Sequence, residues 1–240
     1  MSEAAPELTV VLPAFNEAES LPELWAELRA VLDAIARPAE VIVVDDGSTD
    51  ATPAIVRTLH EGDARVGLLR LAANYGLSAA LDAGLARARG RIVITLDSDL
   101  QNDPRDIPRM LVRLDDYDAV TGWRQQRDDP WLKRVSARVA NAVRNAVTRE
   151  DVHDSACTLR VMRRGCLGCL PRFRGFHRFV PTLLRMAGCR VLELPVAHRA
   201  RRFGVSHSRI RNRALVAFED LLAVRWMQAR RLRYRVTEEP

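Results

Sequence analysis

Aromatic residues and long apolar runs are both scarce in this chain of 240 residues. Only 5% of the residues are aromatic, and no helix-turn-helix pattern is present, so stacking platforms or groove readers for nucleic acid are not expected. No apolar run reaches the roughly 18 to 20 residues that a membrane-spanning helix requires. The best candidate, residues 214–224, is interrupted by Glu219 and Asp220. We therefore expect neither a nucleic-acid partner nor a membrane-spanning segment.

Cysteine is also rare, and its placement argues against a disulfide framework. Four cysteines occur, at positions 157, 166, 169 and 189, and the polar, acidic stretch Met1 to Leu8 does not have the character of a secretory signal. Cys166 and Cys169 have the spacing of half a zinc site, but no second pair follows. We expect ordinary thiols in a reducing cytoplasm.

The composition suits one large α/β domain, alone or with an appendage, because 48% apolar residues can fill a sizeable core. The formal net charge of +6 is unevenly distributed. Residues 1–150 carry 18 Lys and Arg against 24 Asp and Glu, a net −6, whereas residues 151–240 carry 19 against 7, a net +12. An anionic partner is expected at the C-terminal part, and nucleic acid, a membrane surface or a phosphorylated substrate would each satisfy the charge.

Four short β-branched and apolar runs alternate with segments of helical periodicity in the first hundred residues. The runs are Leu8–Leu12, Glu40–Val44, Val66–Leu71 and Arg91–Leu96. Strands that are apolar on both faces and are separated by helices predict a mostly parallel sheet covered by helices on each side. Ligands of such sheets bind at the edge formed by the carboxyl ends of the strands.

Each of these four strands is followed by a polar cluster. The clusters are Pro13, Asn16 and Glu17 after the first, Asp45 and Asp46 after the second, Asn74 and Gly76 after the third, and Asp97 and Asp99 after the fourth. Singly, each cluster is also explained by a turn or by the cap of a helix. Together they predict one functional site at the edge of the sheet.

Asp97 and Asp99 are like charges one residue apart at the end of a buried strand. A divalent cation would offset their repulsion, and Mg²⁺ or Mn²⁺ is commonly held by one or two carboxylates together with substrate phosphates. The amide oxygen of Gln101 is a further candidate ligand. The alternative is a helix cap and turn before Pro104.

In combination, these motifs resemble a family 2 glycosyltransferase with the GT-A fold. The resemblance runs from Leu8 to about Ser206 and is strongest to the dolichyl and polyprenyl-phosphate sugar synthases. Its carriers are Val11–Glu17, Val43–Asp50, Asn74–Gly76, Leu96–Pro104, Gly122–Arg124, Asp154–Arg160 and Arg201–Ser206. It implies a Rossmann-like GT-A domain over residues 1–208. The first half of this domain, to about residue 123, would bind the nucleotide sugar, and the second half, 124–208, would bind the acceptor. A basic C-terminal helix and tail would follow over residues 209–240.

The resemblance implies an inverting, metal-dependent transfer from a nucleoside-diphosphate sugar to a polyprenyl phosphate. Pro13, Asn16, Glu17, Asp45, Asp46, Gly76, Asp97 and Arg124 would then surround the donor, and Asp97, Asp99 and Gln101 would hold Mg²⁺ or Mn²⁺. Asp99 is expected to be catalytic.

A polyprenyl phosphate is already ionised and needs no general base. A saccharide or other hydroxyl acceptor would need one, and Asp154 is the candidate. A non-catalytic nucleotide-sugar-binding protein is the third alternative.

Residues 199–213 contain six arginines, a side chain well shaped to bind phosphate oxygens in pairs. The resemblance places Arg201 and Ser206 at the acceptor phosphate, although His207 stands where relatives usually carry lysine. The alternative is a solvated basic loop.

The final helix, Ala214 to Arg231, is predicted to be amphipathic. Its apolar arc consists of Leu215, Phe218, Leu221, Leu222 and Trp226, with Arg225 inside it, and Glu219, Asp220, Arg230 and Arg231 lie on the other side. The helix either caps the core or lies on an anionic membrane surface, so that the protein would be cytoplasmic and peripheral to the inner face of the membrane.

Overall fold

The computed structural model describes residues 5–125, 131–200, 202 and 213–231, with the backbone alone for 131–138, 140 and 213–215. A seven-stranded sheet forms its centre. Its strands are β1 (Leu8–Ala14), β2 (Ala39–Asp45), β3 (Val66–Arg70), β4 (Ile92–Thr95), β5 (Ala119–Trp123), β6 (Arg160–Arg163) and β7 (Val191–Pro195). The helices are α1 (Leu21–Ile35), α2 (Thr52–Gly62), α3 (Leu77–Arg87), α4 (Ile107–Val112), α5 (Trp131–Thr148), α6 (Val180–Met186) and α7 (Arg213–Arg230).

The strand order is β3-β2-β1-β4-β6-β5-β7. All neighbouring pairs are parallel except those that β6 makes with β4 and β5, which are antiparallel. The mostly parallel α/β architecture expected from the sequence is confirmed. Because β6 runs in the opposite direction, the segment that precedes it lies at the same edge as the carboxyl ends of the other strands.

The central strands of the sheet are buried on both faces, which explains why they are mostly apolar. Every residue of β1 is buried. One core cluster contains Leu24 and Leu28 of α1 with Ile107 of α4, and the other contains Leu81 of α3 with Leu183 of α6. Helices therefore cover each face, as the alternation of strands and helices predicts.

The last described helix, α7, contributes to the second of these clusters. Leu221 is 4% exposed and Val224 is fully buried, and both belong to the core cluster that also contains Leu183 and Leu184 of α6. The division of the chain at residue 208 stays a prediction. No helix in the described parts of the chain has the length and apolarity needed to cross a bilayer.

Candidate active site

The loops after β1 and β2 are joined by hydrogen bonds. The backbone N–H of Asn16 donates to Ser48 Oγ at 2.9 Å, and Asn16 Oδ1 accepts from the backbone N–H of Thr49, also at 2.9 Å. Asn16 has a φ of 56°, a left-handed conformation that asparagine tolerates better than most residues. The Asn16 side chain therefore fixes the geometry between two of the predicted polar clusters.

Glu17 extends this junction toward the neighbouring helices. Its backbone N–H donates to Thr52 Oγ1 at 2.8 Å, and its carboxylate accepts from Ser20 Oγ at 2.6 Å. Pro13 lies deeper, at the buried end of β1, where its carbonyl accepts from Ser98 Oγ at 2.6 Å. These contacts bring the loops after β1, β2 and β4 together.

Asp45 and Asp46, both buried, have separate partners. Asp45 accepts from the backbone N–H of Ser48 at 2.9 Å and lies 3.0 Å from Arg70 Nε. The two carboxylate oxygens of Asp46 accept from the backbone N–H groups of Tyr75 and Gly76, each at 2.8 Å. Burial, supplemented by repulsion from Asp45, raises the pKa of Asp46 despite these hydrogen bonds. Asp46 thus holds the loop after β3 in place.

Gly47 explains why these two loops approach so closely. It has a φ of 71°, and a Cβ at this position would lie 2.4 Å from the carbonyl carbon of Ala73 and 2.7 Å from the nitrogen of Asn74. Both the conformation and the contact require glycine. Gly76, with a φ of 91°, makes the turn into α3.

Asp97 and Asp99 follow β4 at this edge, as predicted. Burial and repulsion from Asp99 raise the pKa of Asp97 to about 6, although a hydrogen bond from Thr158 and the charges of Arg124 and Arg160 oppose the shift. Asp99 is buried, and one of its oxygens accepts from the backbone N–H of Gln101 at 3.1 Å. Leu100, in the turn between Asp99 and Gln101, has a left-handed φ of 63°.

These residues form a donor set that fits a hard divalent cation. Burial raises the pKa of Asp97 and the charge of Asp99 raises it further. A bound cation would relieve the repulsion between the two carboxylates. No cluster of three or more acidic, histidine or cysteine ligands is found within the described parts of the chain. A two-carboxylate site that leaves positions for water and substrate phosphates is typical of Mg²⁺. The Gln101 side chain stays a predicted ligand.

Arg124, at the end of β5, forms a two-point ion pair with Asp154. The distances are 2.7 Å from Nε to Oδ2 and 3.0 Å from Nη2 to Oδ1. Burial opposes ionisation of Arg124, but the hydrogen bonds and charge of Asp154 outweigh it and raise the pKa of Arg124. The backbone N–H of Ala156 also donates to Asp154, at 3.2 Å. Asp154 is therefore held as the counter-ion of an arginine.

Arg160, the last residue of the motif Asp154–Arg160, lies at the site, and the sequence predicted no separate role for it. It is 1% exposed, and Nη2 donates to the carbonyls of Ser155 at 3.1 Å and His177 at 3.0 Å. Its charge lowers the pKa of Asp97, while burial lowers the pKa of Arg160 itself. It is paired in register with Thr95 of β4, two residues before Asp97. The sequence feature that could have pointed to Arg160 is its position as the one charged residue in the otherwise apolar run Leu159 to Met162.

The predicted acceptor residues Arg201 and Ser206 lie outside the described residues. Two of their neighbours, Arg199 and Arg202, are described and form ion pairs with acidic residues. Arg199 Nη1 lies 2.8 Å from Glu27 and its Nη2 lies 2.7 Å from Asp103, and Arg202 lies 2.6 Å from Glu23. Part of the basic segment thus binds α1 and the loop after β4.

A family model described as glycosyl transferase family 2 matches residues 9–170, about two thirds of the chain. The chain belongs to glycosyl transferase family 2. Among curated relatives, it is 35% identical over 210 residues to undecaprenyl-phosphate 4-deoxy-4-formamido-L-arabinose transferase of Salmonella paratyphi A, and the same values apply to that of Salmonella enteritidis. The match covers 86% of this chain and 64% of those relatives, so this family 2 chain spans less than two thirds of their length.

Solved structures confirm the GT-A fold for this family 2 chain. Glucosyl-3-phosphoglycerate synthase from Mycobacterium tuberculosis, in complex with Mn²⁺, UDP and phosphoglyceric acid, superposes with a TM-score of 0.70 at 22% identity, covering 94% of this chain and 79% of that one. A mannosyltransferase from Pyrobaculum calidifontis, in complex with GDP-mannose and Mn²⁺, gives 0.59 at 25% identity, covering 80% and 56%.

Proposed function

We propose that this protein is a glycosyltransferase that moves a sugar from a nucleoside diphosphate to a polyprenyl phosphate, with Mg²⁺ or Mn²⁺ and with inversion at the anomeric carbon. The observation that carries the proposal is the pair Asp97 and Asp99 at the carboxyl edge of the sheet, surrounded by the interlocked loops after β1, β2 and β3. Membership of family 2 and the names of the undecaprenyl-phosphate transferases support it.

The donor is proposed to lie against the interlocked loops. Pro13, Asn16, Glu17, Asp45 and Asp46 stand around this edge. Their hydrogen bonds to residues of the neighbouring loops and helices keep the backbone in one geometry before a ligand arrives. Such preorganisation lowers the cost of binding. The carboxylates of Glu17 and Asp46 are already hydrogen-bonded within the protein, but each oxygen has a second lone pair that can accept from a ribose hydroxyl.

Asp97 and Asp99, with Gln101 as a further candidate, would hold the cation. When bound, Mg²⁺ or Mn²⁺ would neutralise charge on the departing nucleoside diphosphate. Arg160 would position Asp97 from the buried side, because its guanidinium is fixed by two carbonyls and lies within electrostatic reach of that carboxylate. Asp99 would be kept oriented by the Gln101 N–H.

The pairing of Asp154 favours a phosphate acceptor over a hydroxyl acceptor. A hydroxyl nucleophile needs a carboxylate to take its proton, yet Asp154 is the bidentate partner of Arg124. Accepting that proton would cost Asp154 its ion pair. A phosphate oxygen is ionised at neutral pH and needs only positioning and charge stabilisation. Arg201 and Ser206 are proposed to bind that phosphate, and Arg124 stays a proposed residue of the donor site.

The enzyme is proposed to work in the cytoplasm at the inner face of the membrane, where a lipid-linked acceptor is accessible. The scarcity of cysteine in the sequence is consistent with a reducing compartment. Specificity for the base and the sugar of the donor would be set by a few loop contacts and by the shape of the pocket.

One experiment tests donor, acceptor and metal together. Purified protein would be incubated with a panel of UDP- and GDP-sugars, Mn²⁺ and either a polyprenyl phosphate or a saccharide acceptor, and the products identified by mass spectrometry. A glycosylated polyprenyl phosphate that fails to form in EDTA is the expected result. Transfer to the saccharide alone would identify a hydroxyl acceptor, and donor binding without transfer or hydrolysis would identify a non-catalytic nucleotide-sugar-binding protein.

A further inference from the structure

Two buried polar side chains, Asn102 and Thr158, lie beside the pair Asp97 and Asp99. They are 3% and 5% exposed. They come from segments 56 positions apart in the chain, the turn after β4 and the segment that leads into β6. Burying a polar group is costly unless the group is hydrogen-bonded. The hydrogen bonds that these two side chains make therefore indicate what they do.

Asn102 and Thr158 form a chain of hydrogen bonds that ends on Asp97. Asn102 Nδ2 donates to Thr158 Oγ1 at 3.2 Å, and the Thr158 hydroxyl donates to the Asp97 carboxylate. A hydroxyl group has only one hydrogen to donate. Because Thr158 Oγ1 accepts from Asn102, its own hydrogen is directed away from that amide and serves Asp97.

Both side chains are held by further neighbours. Asn102 Oδ1 accepts from the Cys157 thiol, with a distance of 3.9 Å from Sγ to Oδ1, and this contact leaves the amide nitrogen facing Thr158. The backbone carbonyl of Thr158 accepts from Thr95 Oγ1 at 2.5 Å. Thr158 is thus fixed to the strand β4, which Asp97 follows directly.

The turn that carries Asn102 is also fixed by the segment after β7. Asn102 forms an isolated antiparallel bridge with His198, and the backbone N–H of Arg199 donates to the carbonyl of Gln101 at 2.9 Å. The N–H of Gln101 in turn donates to Asp99. One turn therefore supports both carboxylates, Asp99 directly and Asp97 through Thr158.

We propose that Asn102 and Thr158 are positioning residues of the cation site, which hold the Asp97 carboxylate in the orientation in which it binds the ion. Hydrogen bonds to a ligating carboxylate commonly fix its orientation and strengthen metal binding. Arg160 adds charge near Asp97, but its Nη2 donates to two backbone carbonyls, so Thr158 supplies the directional contact. The inference rests on the proposed function, because it requires that Asp97 and Asp99 share a divalent cation.

The test is a titration of the purified chain with Mn²⁺ alone, in which electron paramagnetic resonance measures the free ion. No donor or acceptor is present, so the result does not depend on transfer activity. Thr158→Val keeps the shape of the side chain and removes its hydroxyl, and should raise the Kd for Mn²⁺ at least about tenfold. Thr158→Ser retains the hydroxyl and should bind Mn²⁺ nearly as the unchanged protein does.

A second variant tests whether Asn102 acts through Thr158. Asn102→Ala should also raise the Kd for Mn²⁺. Combining it with Thr158→Val should raise the Kd no further than Thr158→Val alone, because both changes remove the same hydrogen bond to Asp97. Urea denaturation of each variant separates a loss of stability from a loss of Mn²⁺ binding.

Thr121→Val is the matched control. Thr121 is a fully buried threonine of β5, and its hydroxyl has no hydrogen-bond partner among the residues that the structure describes. The change removes a buried hydroxyl that does not contact Asp97, so Mn²⁺ binding should be unchanged.

The possible failures are distinguishable. Equal Mn²⁺ affinity of Thr158→Val and the unchanged protein would overturn the positioning role and leave the proposed function standing. Additive effects of Asn102→Ala and Thr158→Val, or an equal loss of affinity in Thr121→Val, would also overturn it. If the unchanged protein bound no Mn²⁺, both the inference and the metal dependence of the proposed function would be wrong.

Discussion

Arg124 and Asp154 form a buried, two-point ion pair, with side chains 12% and 5% exposed. It joins the end of β5 to the segment that leads into β6, and so connects two neighbouring strands of the sheet. Removing one partner of such a pair leaves an uncompensated buried charge. The pair therefore has a structural role that can be measured separately from any role in transfer.

Asp154→Asn should destabilise the fold by about 3 to 5 kcal/mol, because Arg124 would lose its counter-ion. Arg124→Gln should have a similar effect, and the double change should cost less than the sum of the two single changes. The free energy of unfolding from urea denaturation measures all three. If Asp154→Asn still transfers to a polyprenyl phosphate at a rate close to the original, the residue is not a general base; loss of transfer with unchanged stability would reverse that conclusion.

Asp99→Asn should abolish transfer and leave the fold intact. The amide has nearly the same shape as the carboxylate but lacks its charge, so we expect Mn²⁺ affinity to fall at least about tenfold and kcat by about 100-fold or more. Calorimetric titration with Mn²⁺ and a transfer assay check the two effects. Asp115→Asn, at an exposed position at the end of the α4 region, is the control. Normal Mn²⁺ dependence of the Asp99 variant would remove the central assignment.

Arg201→Ala should raise the KM for the lipid-linked acceptor about tenfold or more while leaving the donor KM nearly unchanged, because a charged hydrogen bond to phosphate is lost. Arg202→Ala is the matched control, since Arg202 is already paired with Glu23 at 2.6 Å and should change neither constant substantially. Steady-state kinetics with each substrate varied in turn distinguishes the two variants. An unchanged acceptor KM in Arg201→Ala would contradict the phosphate role.

Stability should fall in acid as Asp103 takes up a proton. Burial opposes its ionisation, but hydrogen bonds from Arg105 and Arg199 outweigh burial and lower the pKa of Asp103 from 3.8 to about 2. Because the folded pKa lies below the unfolded one, this contribution is complete above about pH 4 to 5 and is lost as the pH falls toward 2. Arg105 is 72% exposed, so screening limits the contribution to about 1 to 2 kcal/mol.

Urea denaturation at a series of pH values measures this contribution. Asp103→Asn should lower stability at pH 7 and flatten its decline between pH 4 and 2. A variant whose stability follows the original curve at every pH would show that the interactions with Arg105 and Arg199 contribute nothing.

The position of the candidate site was predictable from the sequence, but the hydrogen bonds and ion pairs between its side chains were not. Apolar runs separated by helical periodicity fix a parallel sheet, and that sheet places Asp46, Asp97 and Asp99 at one edge. The partner of each side chain depends on tertiary contacts. Asp154 shows the difference: its sequence suggested a proton acceptor, and its pairing with Arg124 is made across 30 positions of chain.

The same limit applies to Arg160 and to α7. A charged residue inside an apolar strand signals a special environment, but the sequence does not say that the antiparallel β6 carries it next to Thr95. Periodicity identified α7 as amphipathic, but it could not divide the apolar arc between the core, which takes Leu221, and the surface, which retains Leu222. That division depends on where α5 and α6 lie.

Gly47 leaves no room for even a methyl group against the backbone at Ala73 and Asn74. The two backbone walls on this flank of the proposed donor pocket therefore have a fixed separation, which substitutions elsewhere in the loops cannot easily widen. A change of nucleotide preference within this scaffold would have to come from side chains that project from those walls, with exposed Tyr75 as the accessible position. Proteins that share this close loop contact would therefore differ in donor specificity by their side chains, with the same spacing of the main chain.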